Sequence, residues 1–170
     1  WWAGETDTIR LGTAVATAAY WHPINLAGEA AFLDLISGGR LEFGIGSGAY
    51  QREFDRMQPG LKQSDGWKYM QEMLPLVRAL WQGDVAHDGP CWQFPTATAC
   101  PKPLQDNVPM WVAARSPTSF DFAVEQDATF AAQAAVGTLS AVLGMLAFGL
   151  SYAWAATRFA WPLSLPLAYI

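Results

Sequence analysis

Histidine and cysteine are scarce in this chain: two of each among 170 residues, His22, His87, Cys91 and Cys100. So few ligands exclude a His-rich metal site, and two cysteines without CxxC spacing make no disulfide framework. The two read as free thiols of an intracellular protein. Charge is scarce as well, at 15% of residues against the roughly 25% usual in soluble domains. Basic excess is missing: the net charge of -5 excludes nucleic acid as a partner, since phosphate binding needs a basic face. An initiator Met is absent before Trp1-Trp2, so the chain reads as an internal fragment whose targeting signal, if any, lies elsewhere. Repeats and low-complexity tracts are absent too.

Apolar residues are abundant at 52%, which excludes global disorder and supplies a core for one ordinary domain. Two compositions meet near Asp127. Residues 1–127 are mixed and punctuated, whereas 128–170 carry a single charge, Arg158.

In the first part, Ile9, Leu11, Thr13 and Val15 alternate as a strand over 8–16. Pro23 opens a helix over 23–36, because its missing N–H has no partner in a first turn anyway. Ser37-Gly38-Gly39 ends that helix. Leu41, Phe43 and Ile45 form a second strand, broken by Gly46-Ser47-Gly48. Ser64 is placed to cap a helix over 65–81, whose apolar stripe is Met70, Met73, Leu74, Val77, Leu80 and Trp81. Pro75 inside it should kink the helix or face solvent. A hairpin is expected around Asp88-Gly89-Pro90, a third buried strand over 110–114, and a helix from Ser116-Pro117 to 125. Strands alternating with helices imply a parallel α/β sheet, either open or closed into a barrel. The expected strand order is 8–16, 41–46, 110–114.

In either architecture the ligand site gathers beyond the strand C-termini, here residues 14–20, 46–51 and 114–119. Gly44-Ile45-Gly46-Ser47-Gly48 has GxGxG rather than GxGxxG spacing and reads first as a tight turn. Arg115, Ser116, Thr118 and Ser119 stand at a helix N-terminus, where free N–H groups and the dipole favour an anion; the alternative is a plain cap. His22 is either a proton donor or a turn residue. His87 reads as solvated surface, Asp34 and Arg40 as a structural pair, and Trp81, Trp92, Phe94 and Trp111 as core.

The residues Ile9-Arg10-Leu11-Gly12-Thr13-Ala14-Val15, His22-Pro23, Leu33-Asp34-Leu35-Ile36-Ser37-Gly38-Gly39-Arg40-Leu41, Phe43-Gly44-Ile45-Gly46-Ser47-Gly48 and Trp111-Val112-Ala113-Ala114-Arg115-Ser116-Pro117 occur in an order and spacing that carry a resemblance. Together with Tyr50-Gln51-Arg52-Glu53-Phe54 and Pro101-Lys102-Pro103-Leu104-Gln105, they make residues 9–126 resemble the luciferase-like flavin-dependent monooxygenases. The resemblance implies a TIM-like (β/α)8 barrel, of which about three βα units are present. It implies reduced FMN, or in a related branch the deazaflavin F420, at the C-terminal mouth. Ala14 and Val15 would lie under the flavin ring, in a stretch where members often have a non-proline cis peptide. Gly46 and Tyr50 would border the ring; Arg115, Ser116 and Ser119 would hold the phosphate. Ser47 departs from bacterial luciferase, which has an arginine there. Implied partners are a small organic substrate, O2 and a flavin reductase, and the implied location is cytoplasmic.

The tail matches nothing in that family. Residues 128–157 are uncharged, long enough for a membrane span of about 20 residues. They are expected to form mostly one helix, crossing a membrane over 130–156. Arg158 would then place the C-terminus inside and the flavoprotein segment outside, a conflict that makes a chimeric or frameshifted origin the alternative. The competing functions are a flavin-dependent monooxygenase, an F420-dependent oxidoreductase and an inactive membrane-anchored fragment. With three strand ends of eight, the chain alone is expected to bind FMN weakly or not at all.

Overall fold

A computed structural model describes residues 1–132, and residues Trp1–Ala131 form one compact unit. A short helix, α1 (Trp2–Glu5), precedes β1 (Leu11–Gly12) and β2 (Ala16–Thr17). A 3-10 turn, Ala18–Tyr20, leads into α2 (Pro23–Ile36), then β3 (Leu41–Gly46) and α3 (Gln51–Met57). A second 3-10 turn, Gln63–Asp65, enters α4 (Gly66–Gln82). The hairpin β4 (Val85–Asp88) and β5 (Gln93–Ala97) follows, then β6 (Met110–Ala114), α5 (Pro117–Glu125) and β7 (Thr129–Ala132).

The main sheet runs β1–β3–β6–β7, with β2 also on β3. β1, β2 and β6 all pair parallel to β3, with Leu11 opposite Leu41, Ala16 opposite Ile45 and Val112 opposite Ile45. Parallel neighbours in the order expected are therefore what the chain forms. The hairpin forms a separate antiparallel pair.

Local chemistry explains the element ends. Pro23 stands at the start of α2, and Gly38 and Gly39 end it at φ +69° and +78°. Ser64 does not cap α4; it lies within the turn ahead of it, and Asp65 holds the cap position. Pro75 is exposed on α4, so its ring meets solvent. The expected strand over 8–16 is interrupted at 13–15, where the Ala14–Val15 peptide is cis. Thr13 fills the gap: its hydroxyl donates to the Gly44 carbonyl at 2.7 Å and accepts from the Gly44 N–H at 3.0 Å. One side chain thus replaces a strand rung, satisfying groups that would be costly to leave unpaired.

Alternation along β3 and β6 divides the sheet into two faces. Leu41, Phe43, Ile45, Met110 and Val112 are buried with Ala27 and Ala31 of α2 and Met73, Leu74, Val77 and Leu80 of α4. Phe43 meets Trp81 edge-on at 5.8 Å, and the Trp81 indole N–H donates to the Ala27 carbonyl at 2.8 Å.

Asp34, fully buried, does not pair with Arg40. It accepts from the Leu104 and Gln105 N–H groups at 2.8 and 2.9 Å and from the Gln105 side chain at 2.7 Å. Arg40 instead binds Thr6 and the Ala3 and Ile9 carbonyls. A carboxylate in the core needs several donors, and the loop around 104–105 lies close enough to supply them.

The tail departs from the expected helix at its start. Asp127, at φ +46°, closes α5, and Thr129–Ala132 extends as a strand beside β6. The βα alternation continues there because the open edge of β6 offers backbone partners to an extended chain. The remainder of the expected helix and its membrane span, from 133 to 157, lies outside the described residues. Among the described residues no helix is long and apolar enough to cross a membrane.

Candidate functional site

The C-terminal ends of β2, β3 and β6 bring residues 14–17, 46–51 and 114–119 to one end of the sheet. Close approach of backbones sets the shape there. A Cβ on Gly44 would sit 1.9 Å from the Thr13 carbonyl oxygen, and one on Gly46 would sit 2.7 Å from Val15 Cγ2. Only glycine lets the 13–15 segment lie against β3. Gly12, Thr13, Ala14, Val15, Glu42, Trp111 and Ala113 line an apolar cavity of about 310 Å³ on the face away from the helices. At its other end Glu42 accepts from both Arg10 and the Trp111 indole. Trp111 is 37% exposed, so it belongs to this face and not to the core expected for it.

Ser116 caps α5, and Ser119 completes a reciprocal capping box. The Ser119 hydroxyl accepts from the Arg115 and Ser116 N–H groups, both at 2.9 Å, and donates to the Ser116 carbonyl at 2.8 Å. Its hydrogen is thus committed within the turn, and buried Ser119 shapes the loop. Exposed Arg115 and Ser116 remain at the surface of the helix N-terminus.

Tyr50 opens α3, 58% exposed, with the Arg52 guanidinium 5.5 Å over its ring. That helix, α3, is absent from the expected elements, since seven residues show too little periodicity. Nearby Tyr20 packs edge-on against Phe54 at 5.1 Å, and its hydroxyl is buried with no hydrogen-bond partner among the described residues. Burial, and then the charge of Glu53, pushes the Tyr20 hydroxyl above its ordinary range.

His22 is exposed and caps α2, its Nδ1 accepting from the Ile24 N–H at 3.4 Å. His87 is not solvated surface. Its Nε2 lies 2.7 Å from Glu72 Oε1, and its ring packs on Phe94. Glu72 also accepts from the Cys91 and Trp92 N–H groups, both at 3.1 Å. Burial alone would push the Glu72 carboxyl up. The hydrogen bonds from His87, Trp92 and Cys91 outweigh it and hold the group below its ordinary range. Burial and the Glu72 carboxylate push the Cys91 thiol up to about 11. Hydrogen bonding across α4 and the hairpin has no local sequence pattern, so this cluster is legible only in three dimensions. Among the described residues no cluster of His, Cys, Asp or Glu fits a metal ion.

A family profile described as luciferase-like monooxygenase matches residues 1–141. The oxygenase component of a flavin-dependent trigonelline monooxygenase from Acinetobacter baylyi is 51% identical over 124 residues, 72% of this chain and 34% of that protein. An F420-dependent glucose-6-phosphate dehydrogenase from Beutenbergia cavernae is 32% identical over 119 residues, 69% of this chain and 35% of that protein. Among solved structures, monooxygenase RslO1 from Streptomyces bottropensis superposes with a TM-score of 0.70 at 30% identity, covering 75% of this chain and 39% of that one. The chain spans about a third of the length of the curated relatives it matches. The described fold is accordingly part of the TIM-like barrel those structures share.

Proposed function

Since this chain belongs to the luciferase-like monooxygenase family, we propose that it forms part of a flavin-dependent monooxygenase that uses reduced FMN and O2 to oxidise a small organic substrate. The observation that carries the reading is the 51% identity to the oxygenase component of a flavin-dependent monooxygenase. The substrate named for that relative makes a small pyridinium carboxylate such as trigonelline the first one to try. A separate reductase would supply the reduced flavin.

The residues fit such a cofactor. Ala14, Val15 and Gly46 make a floor of small groups suited to a planar ring, and a side chain on Gly46 would collide with Val15. Exposed Tyr50, at the start of α3, would border the ring by the family resemblance. Arg115 and the Ser116 hydroxyl sit at the positive end of α5, where a phosphate gains both charge and hydrogen bonds. Ser119 holds those two in place from behind. His22, with Nδ1 engaged in the cap, offers Nε2–H as a hydrogen-bond donor. Reduced flavin supplies the electrons that activate O2, while the protein supplies position and water exclusion. F420 is the second reading, favoured by the F420-dependent relative at 32% identity.

The test is a hybrid in which residues 1–132 replace the matching segment of the Acinetobacter enzyme. With chemically reduced FMN and O2, it should oxidise trigonelline. An Arg115→Ala, Ser116→Ala double variant should raise KM for FMN by about tenfold or more, the scale of losing a charged hydrogen bond. A folded hybrid that ignores FMN and accepts reduced F420 would move the chain to the second reading.

A further inference from the structure

Phe94 lies against both imidazoles of the chain. Its ring centroid is 5.5 Å from that of His22, at 57° between planes, and 5.7 Å from that of His87, at 38°. Phe94 itself is only 9% exposed and part of the core, so it cannot swing away to suit its neighbours. Behind it, His87 is tied to Glu72 at 2.7 Å. Glu72 is in turn tied to the hairpin turn through the Cys91 and Trp92 N–H groups. The side chain of Glu72 thus clamps the β4–β5 turn to the middle of α4, the hairpin carries Phe94, and Phe94 flanks His22.

The demand at the other end is specific. His22 caps α2 through Nδ1, which must then be unprotonated, leaving the hydrogen of the neutral ring on Nε2. At 3.4 Å that cap bond is long, and a single weak bond does not hold an exposed imidazole in one orientation. An aromatic neighbour supplies the missing restraint.

We propose that Phe94, anchored from α4 through Glu72 and His87, is the positioning residue that holds His22 in the orientation and tautomer that cap α2. The hairpin thereby governs which ring nitrogen His22 leaves free of the cap. The use of Nε2–H in catalysis rests on the function proposed above; the positioning itself does not.

With only two histidines in the chain, nitrogen-15 NMR of the 170-residue protein resolves both rings, assigned with His22→Asn and His87→Asn. The wild-type chain should show the His22 hydrogen on Nε2 and ring-proton contacts from Phe94 to both imidazoles. In Phe94→Leu, checked for folding by circular dichroism, the His22 tautomer ratio should shift by about threefold or more, the scale of an aromatic contact. The Ile24 amide should move with it, and Phe94→Tyr should restore both signals. A folded Phe94→Leu chain with His22 and Ile24 unchanged would overturn the proposal. So would wild-type protein without the two ring contacts, a measurement that needs no variant. In the hybrid enzyme Phe94→Leu should lower kcat and leave KM for FMN alone. An altered His22 spectrum with kcat intact would retire the catalytic use of His22 and leave the positioning standing.

Discussion

The two faces of β3 obey different rules. On one, Leu41, Phe43 and Ile45 pack against α2 and α4 as a continuous apolar layer. On the other, Glu42, Gly44 and Gly46 alternate with them in the same six residues and meet Arg10, Thr13 and Val15. The first face tolerates what keeps volume and hydrophobicity, because its energy is burial. The second is shaped by close backbone approach and by one charge pair, so each residue there answers to geometry. A strand can thus carry a generic core and a specific floor at once, since successive side chains point to opposite sides.

The contrast breaks most visibly at Phe43. Phe43→Ala should cost about 3–5 kcal/mol, through lost burial and the cavity left beside Trp81, read as a lowered denaturant midpoint. Trp111→Phe, on the other face, keeps the aromatic ring and removes only the indole donor to Glu42, which retains Arg10, so it should cost about 1 kcal/mol. Equal losses at both positions would abolish the distinction. Gly44→Ala comes next: the added Cβ would meet a backbone carbonyl that cannot move aside, so a cost of about 2 kcal/mol is expected. A neutral Gly44→Ala would show that the 13–15 segment yields more easily than the structure indicates.

Smaller effects sharpen the picture away from the sheet. Ser116→Ala should remove about 1 kcal/mol by uncapping α5, measured by thermal unfolding. Glu72 gives a pH signature. Its carboxyl is held below its ordinary value of 4.5 in the folded chain, so its contribution is complete above that value and disappears as pH falls through the folded one. Glu72→Gln should therefore flatten the loss of stability on acidification below about pH 4.5. Alkylation gives the smallest readout: at pH 8 exposed Cys100 should react first, while Cys91, raised to about 11, should stay protected. Equal labelling of both thiols would argue against the Glu72 clamp.

Elements with strong periods were legible in the chain itself. Helix Pro23–Ile36 and strands Leu41–Gly46 and Met110–Ala114 appear where apolar spacing and the flanking Pro and Gly put them. The capping geometry at Ser116 and the gathering of the three strand ends followed from the same signals. The break at 13–15 was not legible, because the alternation of Ile9, Leu11, Thr13 and Val15 is that of an unbroken strand. Short helices such as Gln51–Met57 leave too few turns to establish a period. The uncharged run after 128 suits a helix by composition alone, yet its first residues join the sheet.

What the amino-acid order determined by itself is therefore local: which segments are helix or strand, where each begins and ends, and which family the order of motifs resembles. Those features depend on residues within a turn or two of one another. Tertiary structure alone decided the rest. Asp34 has its partners some seventy positions away at Leu104 and Gln105, Glu72 has its own across the hairpin, and His22 meets Phe94. Each of these is a contact between groups whose separation along the chain carries no period. Their energy comes from satisfying a buried charge or filling a gap, and both exist only once the elements have packed.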